Sequence, residues 1–114
     1  MTIRTIFAHV SCASIETSAP WYEKLFGKAP TWRPMEGLAE WQFSDIAEVQ
    51  LFQEEQYAGS STLTLGVLPL ESERIRLQKA SLKPGPIEET RGYFLMRMRD
   101  PDENLIVFAS AKKS

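Results

Sequence analysis

Ser61-Thr62-Leu63-Thr64-Leu65-Gly66-Val67, followed at once by a helical run over residues 70–82, decides how this chain is organised. In the first stretch Thr62, Thr64 and Gly66 alternate with Leu63, Leu65 and Val67, the period of a strand with one buried face. In the second, Leu70 with Leu77 and Ile75 with Leu82 are two pairs set seven apart, which puts both on one side of a helix. Glu71, Glu73, Arg74, Arg76 and Lys79 cover its solvent side. Lys83-Pro84-Gly85-Pro86 stops the helix. Short strands are then expected over residues 87–89, 93–99 and 105–109, with Asp100-Pro101-Asp102-Glu103-Asn104 as the tight turn between the last two.

Upstream, the same grammar has already been used once. Residues 2–13 form a strand with faces Ile3/Thr5/Phe7/His9/Ser11 and Arg4/Ile6/Ala8/Val10/Cys12. Trp21, Tyr22, Leu25 and Phe26 make one helical stripe, and Gly27 directly after it is a good C-terminal cap. Pro20 would damage a helix interior, so the helix is expected to start near Thr17 or Ser18, with the proline in its first turn. Thr31-Trp32-Arg33 is a short edge piece between prolines. Ala39, Trp41 and Phe43 alternate with Glu40, Gln42 and Ser44, residues 48–53 make another strand, and residues 54–60 a polar loop.

The order strand, helix, three strands is thus used twice, with the helices about 55 residues apart. Neither half can bury both its helix and its sheet face alone, so the two sheets should curl around a shared concave surface. The expected fold class is α+β. We expect one domain over residues 1–114, module one at 1–58 and module two at 59–114.

Composition removes several function classes. Of 114 residues, 43% are hydrophobic and 25% charged, enough for a core without staples. A net charge of -2 argues against nucleic acid as partner. The N-terminus is too polar for a signal peptide, and no stretch approaches the ~18 apolar residues of a membrane span, so the expected location is the cytoplasm. Cys12 is the sole cysteine and reads as a small buried hydrophobe. Ala111-Lys112-Lys113-Ser114 reads as a frayed tail.

His9-Val10 on the first strand, Trp21-Tyr22-Glu23-Lys24-Leu25-Phe26-Gly27, Val49-Gln50-Leu51-Phe52, and Asp100-Pro101-Asp102-Glu103-Asn104-Leu105-Ile106 together resemble the glyoxalase/bleomycin-resistance/dioxygenase (vicinal oxygen chelate) superfamily. The resemblance spans essentially the whole chain. It implies paired βαβββ modules, a cup-shaped, mostly antiparallel sheet with helices outside, and a homodimer with small-molecule pockets at or near the subunit interface. Metal-dependent members hold one divalent ion on four strand positions. Here these fall on His9, on Gln50, on Thr62 or Thr64, and on Val107, so the resemblance implies a cup without its metal set. The turn also carries Glu103 where the family prefers glycine, which implies a backbone adjustment.

A divalent ion needs three or four donors, usually with an anion among them, and one imidazole with one amide cannot supply that. No metal and no cofactor are therefore expected, and no catalytic residue is assigned. The cup-lining candidates are His9, Gln50, Arg97, Val107, Phe52, Tyr93, Trp32 and Trp41, with Tyr57 a possible part of an aromatic wall. Pairing Arg99 with Leu105 would set Arg97 opposite Val107, where it either offers a cation to an acidic or carbonyl ligand or pairs with Glu48 or Gln50 across the cup. Which face Trp41 occupies is open. The leading expectation is a metal-free binding protein for a small organic ligand, resembling bleomycin-resistance proteins. The rivals are a metal-dependent glyoxalase-type lyase, isomerase or dioxygenase, and a structural dimer that binds nothing.

Overall fold

The computed structural model describes residues 1–112. Its elements run β1 (Ile6–Cys12), α1 (Ile15–Phe26), β2 (Trp32–Met35), β3 (Leu38–Ser44), β4 (Ala47–Gln53), then β5 (Thr62–Gly66), α2 (Leu70–Lys79), β6 (Ile87–Glu89), β7 (Tyr93–Arg99) and β8 (Leu105–Ala111). The strands form two mixed four-stranded sheets of matching order, β1-β4-β3-β2 and β5-β8-β7-β6. In each, the first strand pairs in parallel with the last and the other pairings are antiparallel. The chain is therefore α+β, built from two βαβββ modules.

Burial follows the period-two alternation. Val10, Cys12, Ala39, Trp41, Val49 and Leu51 from the first sheet, and Leu63, Met96, Met98, Ile106 and Phe108 from the second, lie under the helices with Ala19, Tyr22, Leu25, Leu70 and Leu77. Among the described residues α1 and α2 pack only on this face of the sheets.

Several local expectations are corrected. α1 begins at Ile15, capped by the Ser14 hydroxyl, which accepts from the Thr17 N–H at 3.3 Å. Pro20 thus sits inside the helix rather than in its first turn. It is exposed, so the backbone bond it removes faces water. Gly27 does cap the helix, at φ 72° with its N–H on the Glu23 carbonyl. α2 ends at Lys79, before Leu82. Leu82 is still buried, but Ile75 is 52% exposed, so only Leu70 and Leu77 form the inward stripe. Ala111 is no frayed tail: it pairs with Tyr93, and the Lys112 N–H donates to Gly92 O. Lys113 and Ser114, read with them, lie outside the described residues.

The modules are tied together at the β7–β8 turn. Asn104, completely buried, accepts through Oδ1 from the Gly59 and Ser61 N–H groups at 3.0 and 2.8 Å. Its Nδ2 donates to Ser11 O at 2.9 Å and to Asp100 Oδ2 at 2.8 Å. Asp100 in turn accepts the Tyr22 hydroxyl at 2.6 Å, and Asp102 accepts from Ser18 and from the Ala13 N–H. So β1, α1, the inter-module loop and the last hairpin meet at one buried turn. Gly59 is required there, because at φ 94° a Cβ would stand 2.7 Å from the Asp102 carbonyl. Glu103 occupies the turn's left-handed position at φ 72°. The expected backbone adjustment is not made: the chain keeps the glycine-type conformation without the glycine.

Candidate functional site

One lateral row of side chains crosses the open face of the first sheet. Trp32 stands opposite Glu40, Glu40 opposite Gln50, and Gln50 opposite His9, one residue from each strand in spatial order. Facing positions on neighbouring strands put Cβ atoms about 5 Å apart, so such a row acts as one surface. Gln50 Nε2 donates to Glu40 Oε2 at 2.6 Å, and Gln50 Oε1 faces His9 Nδ1 at 3.4 Å. On the other edge of the ring, His9 Nε2 lies 2.8 Å from Glu54 Oε1, which also accepts from Ser11 Oγ at 3.1 Å. The Phe52 ring meets the imidazole edge-on, with centroids 6.1 Å apart. The bond from His9 is the main reason the Glu54 carboxyl is held below its ordinary value; burial pulls the other way, and the Ser11 hydroxyl adds to the fall.

The second sheet presents Arg97 opposite Val107 and Val107 opposite Thr64. Thr64 therefore shares the row of Val107 as His9 shares the row of Gln50. Thr62 pairs with Leu105, one row away, so it is not the equivalent position. Arg97 is neither a free cation nor a partner of Glu48 or Gln50. Its Nε pairs with Glu88 Oε2 on the adjacent β6 at 3.1 Å. Tyr93 lies on the same face and is half exposed.

Trp41 is corrected outright. It is completely buried on the helix side, its ring 5.2 Å from Phe26 and 6.3 Å from Tyr22 by centroid, and its Nε1 donates to Lys28 O at 2.9 Å. A tryptophan there completes the aromatic packing of α1 and cannot touch a ligand on the open face. Cys12 is also buried, and burial first, with the nearby Asp102 next, pushes its thiol up to about 11.

Glu40, Glu54 and Glu88 were not among the sequence candidates. Glu40 was visible as the polar partner of Trp41 in an alternating strand. Glu54 lies just past β4 in what read as a polar loop, and only the parallel pairing of β1 with β4 brings it to His9.

The group that the family resemblance implies is a divalent ion, and these residues do not fit it. Among the described residues no three His, Cys, Asp or Glu side chains are grouped to hold one. The donors beside His9 sit on opposite edges of its ring, Glu54 at Nε2 and Gln50 at Nδ1. An ion bound through either nitrogen would reach only one of them. From the second module, Thr64 and Val107 add a hydroxyl and a hydrocarbon.

A cleft of about 620 Å³ opens on the helix side, between the early part of β1 and the late part of β5, lined chiefly by Ile6, Phe26, Phe43, Ile46, Leu65 and Val67. Arg76 at its wall is spent on Glu73 and on the Lys24 and Leu25 carbonyls. Its polar residues, Glu48, Thr64, Glu73 and Arg76, form no set beyond the Glu73–Arg76 pair, so it is a weaker candidate than the row.

No protein-family model and no curated protein matches the chain. Solved structures do. The glyoxalase/bleomycin resistance protein of Catenulispora acidiphila superposes with a TM-score of 0.88 at 24% identity, over 96% of this chain and 99% of that one. An antibiotic-binding protein, TnmS3 of a Streptomyces species, gives 0.80 at 17% identity over 95% of each chain. A bleomycin-binding protein complexed with bleomycin gives 0.79 at 16% identity, over 95% of this chain and 98% of that one. The chain has the fold of the glyoxalase/bleomycin-resistance proteins.

Proposed function

We propose that this protein binds a small organic molecule on the open faces of its sheets without a metal ion, and that a second copy of the chain completes the cup. One observation carries the reading: the polar groups of the row satisfy one another, while Trp32, 46% exposed, stands at its end and Phe52 beside it. Such a surface offers a flat ligand stacking area and fixed polar groups, and offers an ion very little.

A second copy is supported by the outer edges. Among the described residues β2 pairs only with β3 and β6 only with β7, so each sheet ends in an unpaired outer strand edge, which natural sheets normally cover. That solved relatives in fold include a bleomycin-binding protein with its ligand supports the ligand class.

A thermal-shift screen of aromatic and amphipathic small molecules tests the reading. A ligand at a hundred times its Kd adds about 2.7 kcal/mol of stability, which for a chain of this size is a rise of roughly 11 °C. Trp32→Ala should abolish the shift while leaving the unliganded Tm within about 2 °C, because an exposed side chain away from the core contributes little. A ligand whose shift survives Trp32→Ala, or a screen with no shifts, contradicts the proposal. Sedimentation equilibrium tests the second copy.

A further inference from the structure

Among the described residues, every hydrogen bond between residues 6–53 and residues 62–112 either belongs to the Asp100–Asn104 turn or comes from Arg76. β1 and β5, which approach each other between these two ties, belong to separate sheets and share no ladder bond. The buried turn holds one end of this seam. Away from it, on the helix side, the cleft of about 620 Å³ opens, with Ile6, Phe43 and Ile46 of one module and Leu65 and Val67 of the other in its walls. The core runs under both helices, but apolar contact is non-directional, and across the cleft it is missing.

Arg76 spans that gap. From α2 it reaches the C-terminal end of α1, where Nη1 donates to Lys24 O at 3.0 Å and Nη2 to Leu25 O. These are last-turn carbonyls left without partners inside the helix, and the helix dipole makes that end negative. The Gly27 N–H takes the Glu23 carbonyl beside them. Glu73, one turn back on α2, holds the guanidinium through Nε at 3.0 Å, so the fork is already aimed at α1.

We propose that Arg76 is a clasp that fixes the angle between the two modules. Closed, it holds the open faces of the sheets in one relation. Released, it lets the modules part on the helix side about the Asp100–Asn104 turn while both stay folded. Arg76 sits on α2, on the helix side, so it acts on the open faces only by positioning the sheets that carry them. The inference goes beyond the binding proposal and does not rest on it, because the clasp joins two halves of one chain with no ligand present.

Pulsed EPR between two spin labels reads the angle. Asp45→Cys and Glu71→Cys place one exposed label in each module, and Cys12, buried, stays unlabelled in the folded protein. Diluting labelled chains into an excess of unlabelled ones leaves only distances within one chain. The parent should give one narrow distance. In Arg76→Met, water between the former partners adds about 3 Å, so the mean should lengthen by roughly that much and the distribution should broaden. Arg76→Lys keeps the cation but loses the fork, and should lie between the two. Arg74→Met is the control: its guanidinium holds Gly85 O inside its own module, so the distance should stay that of the parent. Arg76→Met with the parent's mean and width overturns the proposal, as does Arg74→Met lengthening the distance as much. Circular dichroism confirms that each variant is folded; if Arg76→Met is not, Arg76→Lys decides by the same comparison.

Discussion

Asn104→Ala should be the most damaging polar substitution in this chain. The side chain makes four hydrogen bonds at 2.8–3.0 Å and is completely buried, and its partners come from three places: Ser11 on β1, Gly59 and Ser61 on the inter-module loop, and Asp100 in its own turn. At a net ~1 kcal/mol per bond the loss would be about 4 kcal/mol. The Gly59 and Ser61 N–H groups are only part-buried, so water recovers some of it, which leaves roughly 3 kcal/mol. With an unfolding entropy near 2.1 cal/mol/K per residue, each kcal/mol is about 4 °C here, so the Tm should fall by about 12 °C. Urea melts followed by circular dichroism read this directly. Asn104→Asp is the control. It keeps an acceptor for the two N–H groups but turns a carboxylate oxygen on Ser11 O and Asp100, so at neutral pH it should be at least as harmful. A loss below about 1 kcal/mol in Asn104→Ala would refute the view that this turn locks the two modules together.

Three further outcomes follow from the same turn and the core beside it. Glu103→Gly should stabilise the protein by about 1 kcal/mol, read as a Tm rise of about 4 °C, because Glu103 sits at φ 72° where glycine is unstrained. Tyr22→Phe should cost about 2 kcal/mol by the same melts, since the buried phenol donates to the Asp100 carboxylate at 2.6 Å and burial, then that contact, holds it protonated. Cys12 should resist iodoacetamide at pH 8 and react only as the protein unfolds, its rate tracking the urea transition, because burial keeps the thiol from ionising.

Much of the fold was legible because its signals are local and periodic. Thr62/Thr64/Gly66 against Leu63/Leu65/Val67 gave β5, the aromatic stripe at Trp21, Tyr22, Leu25 and Phe26 gave α1, and the Asp100–Asn104 turn fixed the register that sets Arg97 opposite Val107. Boundaries went astray where capping beat propensity: the Ser14 hydroxyl starts α1 early enough to enclose Pro20. The candidate site was legible only in part. His9 and Gln50 could be placed from the strand pattern, but Trp41 could not be assigned a face, since alternation gives two sets without saying which is inside. Glu54 was invisible because its role depends on a parallel pairing between strands more than forty residues apart, which no local pattern records. Arg97 was read without Glu88 for the same reason: the partner sits on a three-residue strand.

Ion content after exposure to metal is the most direct measurement. Protein dialysed against zinc, nickel, manganese or iron(II), then against buffer, should retain well under one equivalent of any of them, and its single imidazole should give an unchanged NMR signal. Retention of one equivalent per chain that disappears in His9→Ala would contradict an organic, metal-free cup, and would show that Glu54 yields the ring to an ion.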